Sequence, residues 1–233
     1  MSHMKRLTAP RSWTIEKKVN VWTTKPEPGA HSLEMSIPIS TILRDYLKIC
    51  DNLKEAKKIV NDGAVCVDGR VVKRHKWGVG FMDVLSLPSI KNYFRVVLDK
   101  NGKILFNPIK KTEAGWKLKR VEGKTSVRGG KMQINFHDGT NMIYGKDCKV
   151  GDVFQIEIPN GKVKKTFEMK KGAHAYITGG TNVGKITKIK ENKQIRGTKI
   201  DEVVCDDFET VKSYVFVVGD TKKSLISIEE SKV

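Results

Sequence analysis

The run Gly179-Gly180-Thr181-Asn182-Val183-Gly184-Lys185 is the part of the sequence most suggestive of chemistry. It fits the G-x-x-x-x-G-K opening of a phosphate-binding loop, in which glycine amides cradle phosphates and the lysine reaches the outer ones. That chemistry also needs Ser or Thr directly after the lysine to hold magnesium. Here Ile186 stands in that place and Thr187 comes one residue too late. The loop must also open a helix, whereas Ile186-Thr187-Lys188-Ile189-Lys190 alternates like a strand. A glycine turn between strands accounts for the same residues, since glycine takes positive φ without steric cost. His137-Asp138 suggests acid–base work, but Asp138-Gly139 has a conformational reason to sit in a hairpin turn. His31, His75 and His174 have no metal-ligand spacing. Cys50, Cys66, Cys148 and Cys205 are far apart and form no Cys-x-x-Cys pair, which argues against structural zinc. They are expected to be reduced and at least partly buried. No catalytic constellation emerges, and neither a cofactor nor a small-molecule substrate is expected.

Charge is more informative. The 233 residues hold 44 Lys and Arg against 26 Asp and Glu, a net of +18. Such an excess repels itself in the compact state and attracts polyanions, nucleic acid first among them. It spreads through residues 1–198, reaching +9 over 101–171, and turns to −3 over 199–233. A single basic tail would be concentrated at one end, so this distribution points to a broad folded surface. No apolar run approaches the roughly 18 residues of a membrane span, and no signal peptide is evident, so a soluble intracellular protein is expected.

The elements that must position these cations read as follows. Residues 1–36 are proline-containing and basic, with Lys5, Arg6, Arg11, Lys17, Lys18 and Lys25 interleaved with Trp13 and Trp22. In this extension cations could meet phosphates and aromatic rings could stack on bases. Ile39, Ile42, Leu43, Tyr46, Leu47 and Cys50 form one apolar helical face, predicting a helix over 39–50 capped by Ser40, with Arg44 and Lys48 sharing the exposed side. A second helix follows at about 53–61, with Leu53, Ala56, Ile59 and Val60 inward, Lys54, Lys57 and Lys58 outward, and Gly63 as its stop. Ala64–Val67 and Arg70–Val72 flank Asp68-Gly69, the signature of a type I′ hairpin. The cluster Arg70, Lys73, Arg74 and Lys76 lies at and beyond that hairpin. From 93 onward, turn signals at 100–102, 137–139 and 159–161 separate short strands, predicting small barrels or sandwiches.

The stretch 39–72, through Leu53-Lys54-Glu55-Ala56-Lys57-Lys58-Ile59-Val60 and Asp62-Gly63-Ala64-Val65-Cys66-Val67-Asp68-Gly69-Arg70, resembles the α-L RNA-binding module. That module usually closes with Gly-Asp before its last strand, where this chain has Gly80-Phe81-Met82-Asp83, so a different local turn is expected. Residues 172–198 resemble a KOW motif through Gly172, Gly179, Gly180, Gly184 and Ile186, which also accounts for the phosphate-loop look-alike. The openings His3-Met4-Lys5-Arg6-Leu7-Thr8-Ala9-Pro10-Arg11-Ser12-Trp13 and Pro26-Glu27-Pro28-Gly29-Ala30-His31, then Ser36-Ile37-Pro38, resemble the archaeal and eukaryotic type of small-subunit ribosomal protein four.

The resemblance implies an α+β, predominantly β chain. Its parts would be a basic N-terminal arm (1–36), an α-L RNA-binding module of two helices plus hairpin (37–92), a central β-domain (93–171) and a KOW-type, SH3-like small β-barrel with tail (172–233). It implies a cytoplasmic structural constituent of the small ribosomal subunit, with small-subunit rRNA and neighbouring ribosomal proteins as partners, and no membrane or catalytic role. The expected RNA contacts are Lys5, Arg6, Arg11, Trp13, Lys17, Lys18, Arg44, Lys48, Lys54, Lys57, Lys58, Arg70, Lys73, Arg74, Lys76 and Lys185. Gly63, Gly69, Gly179, Gly180 and Gly184 are the expected turn glycines. An RNA-modifying enzyme or a transcription-associated factor would use the same modules, and copurification with polymerase or turnover on rRNA would distinguish them.

Overall fold

The computed structural model describes residues 3–145, 147–193, 195, 200–221 and 224–226. Residues 227–233, and most of 194–198 at the end of the 172–198 stretch, lie outside the described residues. The chain is mostly β, as its repeated turn signals require; the described residues form three five-stranded sheets and two two-stranded ones, with two short α-helical segments in the first unit. It divides into two compact units. One comprises Met1–Val97, Lys103–Lys117 and Ile158–Asn160, and the other Leu98–Gly102, Leu118–Glu157 and Gly161–Val233.

In the first unit the α-helix Leu53–Asn61 forms as its pattern dictates. Ala56 and Val60 are fully buried, and Lys54, Lys57 and Lys58 are exposed. The Glu55 carboxylate accepts the amides of Asp51 at 3.0 Å and Asn52 at 3.4 Å, closing a capping box. Gly63, at φ 76°, stops the helix in the left-handed region. The hairpin Cys66–Val67/Arg70–Val71 turns through Asp68 (φ 49°) and Gly69 (φ 72°), the paired positive angles of a type I′ turn. It forms one edge of a sheet that continues through Val84–Leu87, Asn92–Leu98 and Ile104–Pro108.

The first helix departs from its expected form. Ile39–Thr41 is α-helical, but Ile42–Tyr46 widens to a π turn, and Leu47 donates its amide to Ile42 at 2.9 Å. Lys48 then takes φ 50°, so the predicted continuation to Cys50 is broken and Lys48 does not share a helical face with Arg44. Ser40 is not the cap. It is buried, Pro38 occupies the cap position, and the amides of Ile39 and Ser40 donate to the carbonyls of Trp77 and His75 at 3.0 and 3.1 Å. The local turn before the last strand does differ from Gly-Asp. Met82 adopts φ 66°, and the amide of Gly80 donates to the Asp83 carboxylate at 2.8 Å.

The second unit holds two sheets. One runs Asn141–Ile143, Lys131–Phe136, Trp116–Val127, Val153–Glu157, Val163–Phe167, over a core of Val121, Ile134, Phe136, Phe154 and Ile156. The other runs Glu209–Val211, Glu202–Cys205, Ile186–Lys193, His174–Ile177, Val215–Gly219. The segment after Lys185 is thus a strand, and the glycine run is a turn leading into it. Gly180 and Gly184 sit at φ 82° and 80°. A Cβ on Gly179 would meet the Tyr214 ring at 2.7 Å, and one on Gly184 would meet the Asp99 carbonyl carbon at 2.6 Å. His137-Asp138 is likewise structural. His137 Nδ1 accepts the Arg120 amide at 3.1 Å, and Asp138, buried against Lys119 at 2.8 Å, accepts the Thr140 hydroxyl at 2.6 Å.

Candidate nucleic-acid interface

The helix Leu53–Asn61 and the loop after the hairpin bring cations together in the first unit, where Lys57 and Lys76 both act on His75. The helix Leu53–Asn61 turns Lys54, Lys57 and Lys58 outward, because its opposite face is buried in the core. The loop from Lys73 to Trp77 is fixed at the start of the first helix by the His75 and Trp77 carbonyls, and Glu27 donates its amide to the Lys76 carbonyl at 2.9 Å. Burial, then the charges of Lys57 and Lys76, push the His75 imidazole below its ordinary value. The helix lysine and the loop lysine therefore act on one point from two elements. Lys54, Lys57, Lys58, Arg70, Lys73 and Arg74 are all exposed. Arg74 meets Glu27 at 3.5 Å across an open surface. Among the described residues, no carboxylate pairs with Lys54, Lys57, Lys58, Arg70 or Lys73. Clustered cations without internal partners are what an external polyanion neutralises.

Other expected contacts are placed differently. Arg6 is 2% exposed, with its guanidinium donating to Asp45 at 2.7 Å and to the Glu16 carbonyl. Trp13 is 2% exposed, and its indole N–H donates to the Ser36 carbonyl at 2.9 Å. The Arg6 charge and the Trp13 ring are both committed inside the fold, so neither side chain offers an open face to a base or phosphate. Arg44 is half-buried against Asp45 at 2.8 Å, and Lys17 donates to the Ala9 carbonyl at 3.1 Å. Residues 3–36, expected as an extension, are held by these bonds and by Ile104 donating to the Ser12 carbonyl at 2.8 Å. Lys5, Arg11, Lys18 and Lys48 are exposed. Lys185, in the second unit, is exposed and donates to Asn182 at 2.8 Å.

Sequence reasoning left His75 as a lone histidine and did not single out Trp77, which is exposed directly after Lys76. The signal was present in the run Lys73-Arg74-His75-Lys76-Trp77, an aromatic next to a cationic cluster. A group that sequence could not show is the buried constellation of Lys117, Asp68, Asp83 and His31. Lys117 donates to Asp68 at 2.7 Å and to Asp83, and His31 Nε2 lies 3.0 Å from the Asp83 carboxylate. All lie in the first unit. A Cβ on Gly80 would overlap the His31 ring, so that glycine gives the imidazole its seat.

Comparison with known proteins places this geometry. The sequence matches the RS4NT (NUC023) domain over residues 2–34, the S4 domain over 38–85 and the Ribosomal family S4e over 90–163. It is 40% identical to the small ribosomal subunit protein eS4 of Methanothermobacter thermautotrophicus, covering 99% of this chain and 97% of that one. It is 42% identical to the eS4 of Methanocella arvoryzae, covering 94% of each. The crystal structure of the 30S ribosomal protein S4e from Thermoplasma acidophilum superposes with a TM-score of 0.73 at 34% identity, covering 82% of this chain and 99% of that one. The cation-bearing helices and hairpin coincide with the S4 domain match, and the similarity runs from end to end: this chain belongs to the S4e family of ribosomal proteins.

Proposed function

We propose that this chain is a structural constituent of the small ribosomal subunit in the cytoplasm, binding folded small-subunit rRNA. The observation that carries the reading is the exposed cation cluster of Lys54, Lys57, Lys58, Lys73 and Arg74, with the half-buried Lys76 beside it, lying within the S4 domain match of a chain similar to eS4 proteins over nearly its full length. Residues 37–92 act as an α-L RNA-binding module in this reading, and residues 172–233 as a KOW-type barrel. Lys5, Arg11, Lys18, Lys48, Arg70 and Lys185 add further contacts, while Arg6, Arg44, Lys17 and Trp13 shape the surface from within. Phosphate contacts would fix position, and groove shape with the 2′-hydroxyl would identify RNA. Neighbouring small-subunit proteins are the expected further partners, and the role needs no cofactor, metal or reaction.

The test is binding of the purified chain to naked small-subunit rRNA across a salt series, with duplex DNA of matched length as competitor. Tight, steeply salt-dependent binding that DNA fails to displace is expected. Equal affinity for both nucleic acids would overturn the RNA assignment.

A further inference from the structure

Trp22 lies in a two-stranded antiparallel ribbon, Met4–Lys5 against Trp22–Thr23, with Lys5 directly opposite Trp22 and Met4 opposite Thr23. Directly opposed residues point to the same side of an antiparallel pair. Met4 and Thr23 are 7% and 8% exposed, so they form the inward side. Lys5 and Trp22 therefore form the outward side, and His3, two residues before Lys5, joins them there. The His3 and Trp22 rings meet edge-on, with centroids 6.1 Å apart and planes at 63°. That contact leaves Trp22 58% exposed. Lys18 and Arg11 in the same N-terminal segment are exposed cations.

A lone exposed indole would be ordinary, but one set directly beside a cation, with a second ring at its edge, is a ready-made stacking surface. The choice of occupant follows from charge. A lysine stands directly beside the ring and residues 1–36 are net basic, which disfavours a second copy of this basic chain and favours an anionic partner. A nucleobase linked to a phosphate satisfies both groups at once, with the base stacked on the indole and the phosphate against the ammonium. A base inside a helix has both faces covered by its neighbours, so only an unpaired or extruded base can use the ring.

We infer that Trp22, with Lys5 beside it, is a stacking platform for an unpaired RNA base, and that it fills the role that the buried Trp13 cannot. The inference rests on the RNA-binding reading above. It is tested with the full chain, a short oligoadenylate strand and a blunt RNA duplex of equal length. Trp22→Ala, Trp22→Phe and Trp22→Leu are compared with the unmodified chain, each checked by thermal melting. The expected result for Trp22→Ala is a roughly 5- to 150-fold loss of single-strand affinity with duplex affinity unchanged. Trp22→Phe should recover most of the loss and Trp22→Leu should not. Lys5→Ala should lower the salt dependence of single-strand binding, which Trp22→Ala leaves intact. Equal loss on strand and duplex, rescue by leucine as well as by phenylalanine, or no loss at all would overturn the platform. A chain that binds the duplex but not the strand overturns this inference alone. One that binds neither overturns the functional reading with it.

Discussion

Lys117 donates its buried ammonium to the Asp83 carboxylate, in the turn that precedes Val84–Leu87 of the same unit. Asp68 receives the same ammonium at 2.7 Å, and His31 closes on Asp83 from the N-terminal segment. One lysine with 1% of its side chain exposed thus ties the hairpin turn, the last strand of the S4-matched region and residues 26–36 to one point. A buried pair of this kind adds little over an apolar replacement, but removing one partner strands a charge. Lys117→Met should therefore destabilise the chain by about 3–5 kcal/mol, and Lys117→Met with Asp83→Asn should recover part of it. Urea denaturation checks this. An additive double variant would show that the two groups are not coupled.

The same site fixes a pH dependence. Burial pushes the Asp83 carboxyl up, but the Lys117 and His31 charges and the hydrogen bonds from His31 and Gly80 outweigh it and hold it well below the usual carboxylate range. The unfolded chain then binds the proton more readily than the folded one. Stability from Asp83 is fully present above about pH 4 and is lost as pH falls below that towards the depressed folded value. Asp68, whose carboxyl burial pushes up in spite of Lys117, acts in the opposite sense: its contribution is lost as pH rises through its raised folded value. Asp83→Asn should cost stability at neutral pH and flatten the acid limb of a stability–pH profile. An unchanged acid limb would remove Asp83 from the account.

RNA binding should move His75. Its imidazole is held low by burial and by Lys57 and Lys76, so phosphates that neutralise those lysines should raise its pKa. NMR titration of the His75 ring with and without rRNA fragment measures this directly. A fall, or no change on saturation, would place the phosphates elsewhere.

The exposed and internal cations should separate in a salt series. Lys57→Ala should reduce the slope of log affinity against log salt by about one phosphate contact. Arg44→Ala, which removes a partner of Asp45, should lower stability and leave that slope nearly intact. The reverse pattern would exchange their roles.

Gly184→Ala should be far more damaging than Gly130→Ala. Both glycines have positive φ, 80° and 67°, so each alanine meets left-handed strain of about 1–2 kcal/mol. Nothing lies within 4 Å of a Cβ on Gly130, whereas one on Gly184 meets Asp99 backbone at 2.6 Å. Thermal melts of the two variants compare them, and equal losses would mean that the close approach at Asp99 is relieved without cost.

Local features were legible in the sequence where neighbours in the chain decide them. The helix Leu53–Asn61, its Gly63 stop, the Asp68-Gly69 turn and the strand after Lys185 all depend on residues a few positions apart. The failures are long-range. Periodicity carried the first helix to Cys50, because it registers apolar spacing and not the Ile42–Leu47 bond that opens the π turn. Composition made Arg6 and Trp13 look available, yet their partners Asp45 and Ser36 lie 39 and 23 residues away. The lysines of the exposed cluster were readable because solvent-facing cations need no distant partner. The Lys117 constellation was not, because Lys117 finds Asp68 across 49 residues.

The central claim is membership of the small ribosomal subunit, and the distribution of the endogenous chain on a sucrose gradient tests it most directly. The account predicts that the chain sediments with small subunits and stays there through a moderate-salt wash, because many phosphate contacts must be screened together. Recovery only in the ribosome-free fraction at the top of the gradient would contradict it.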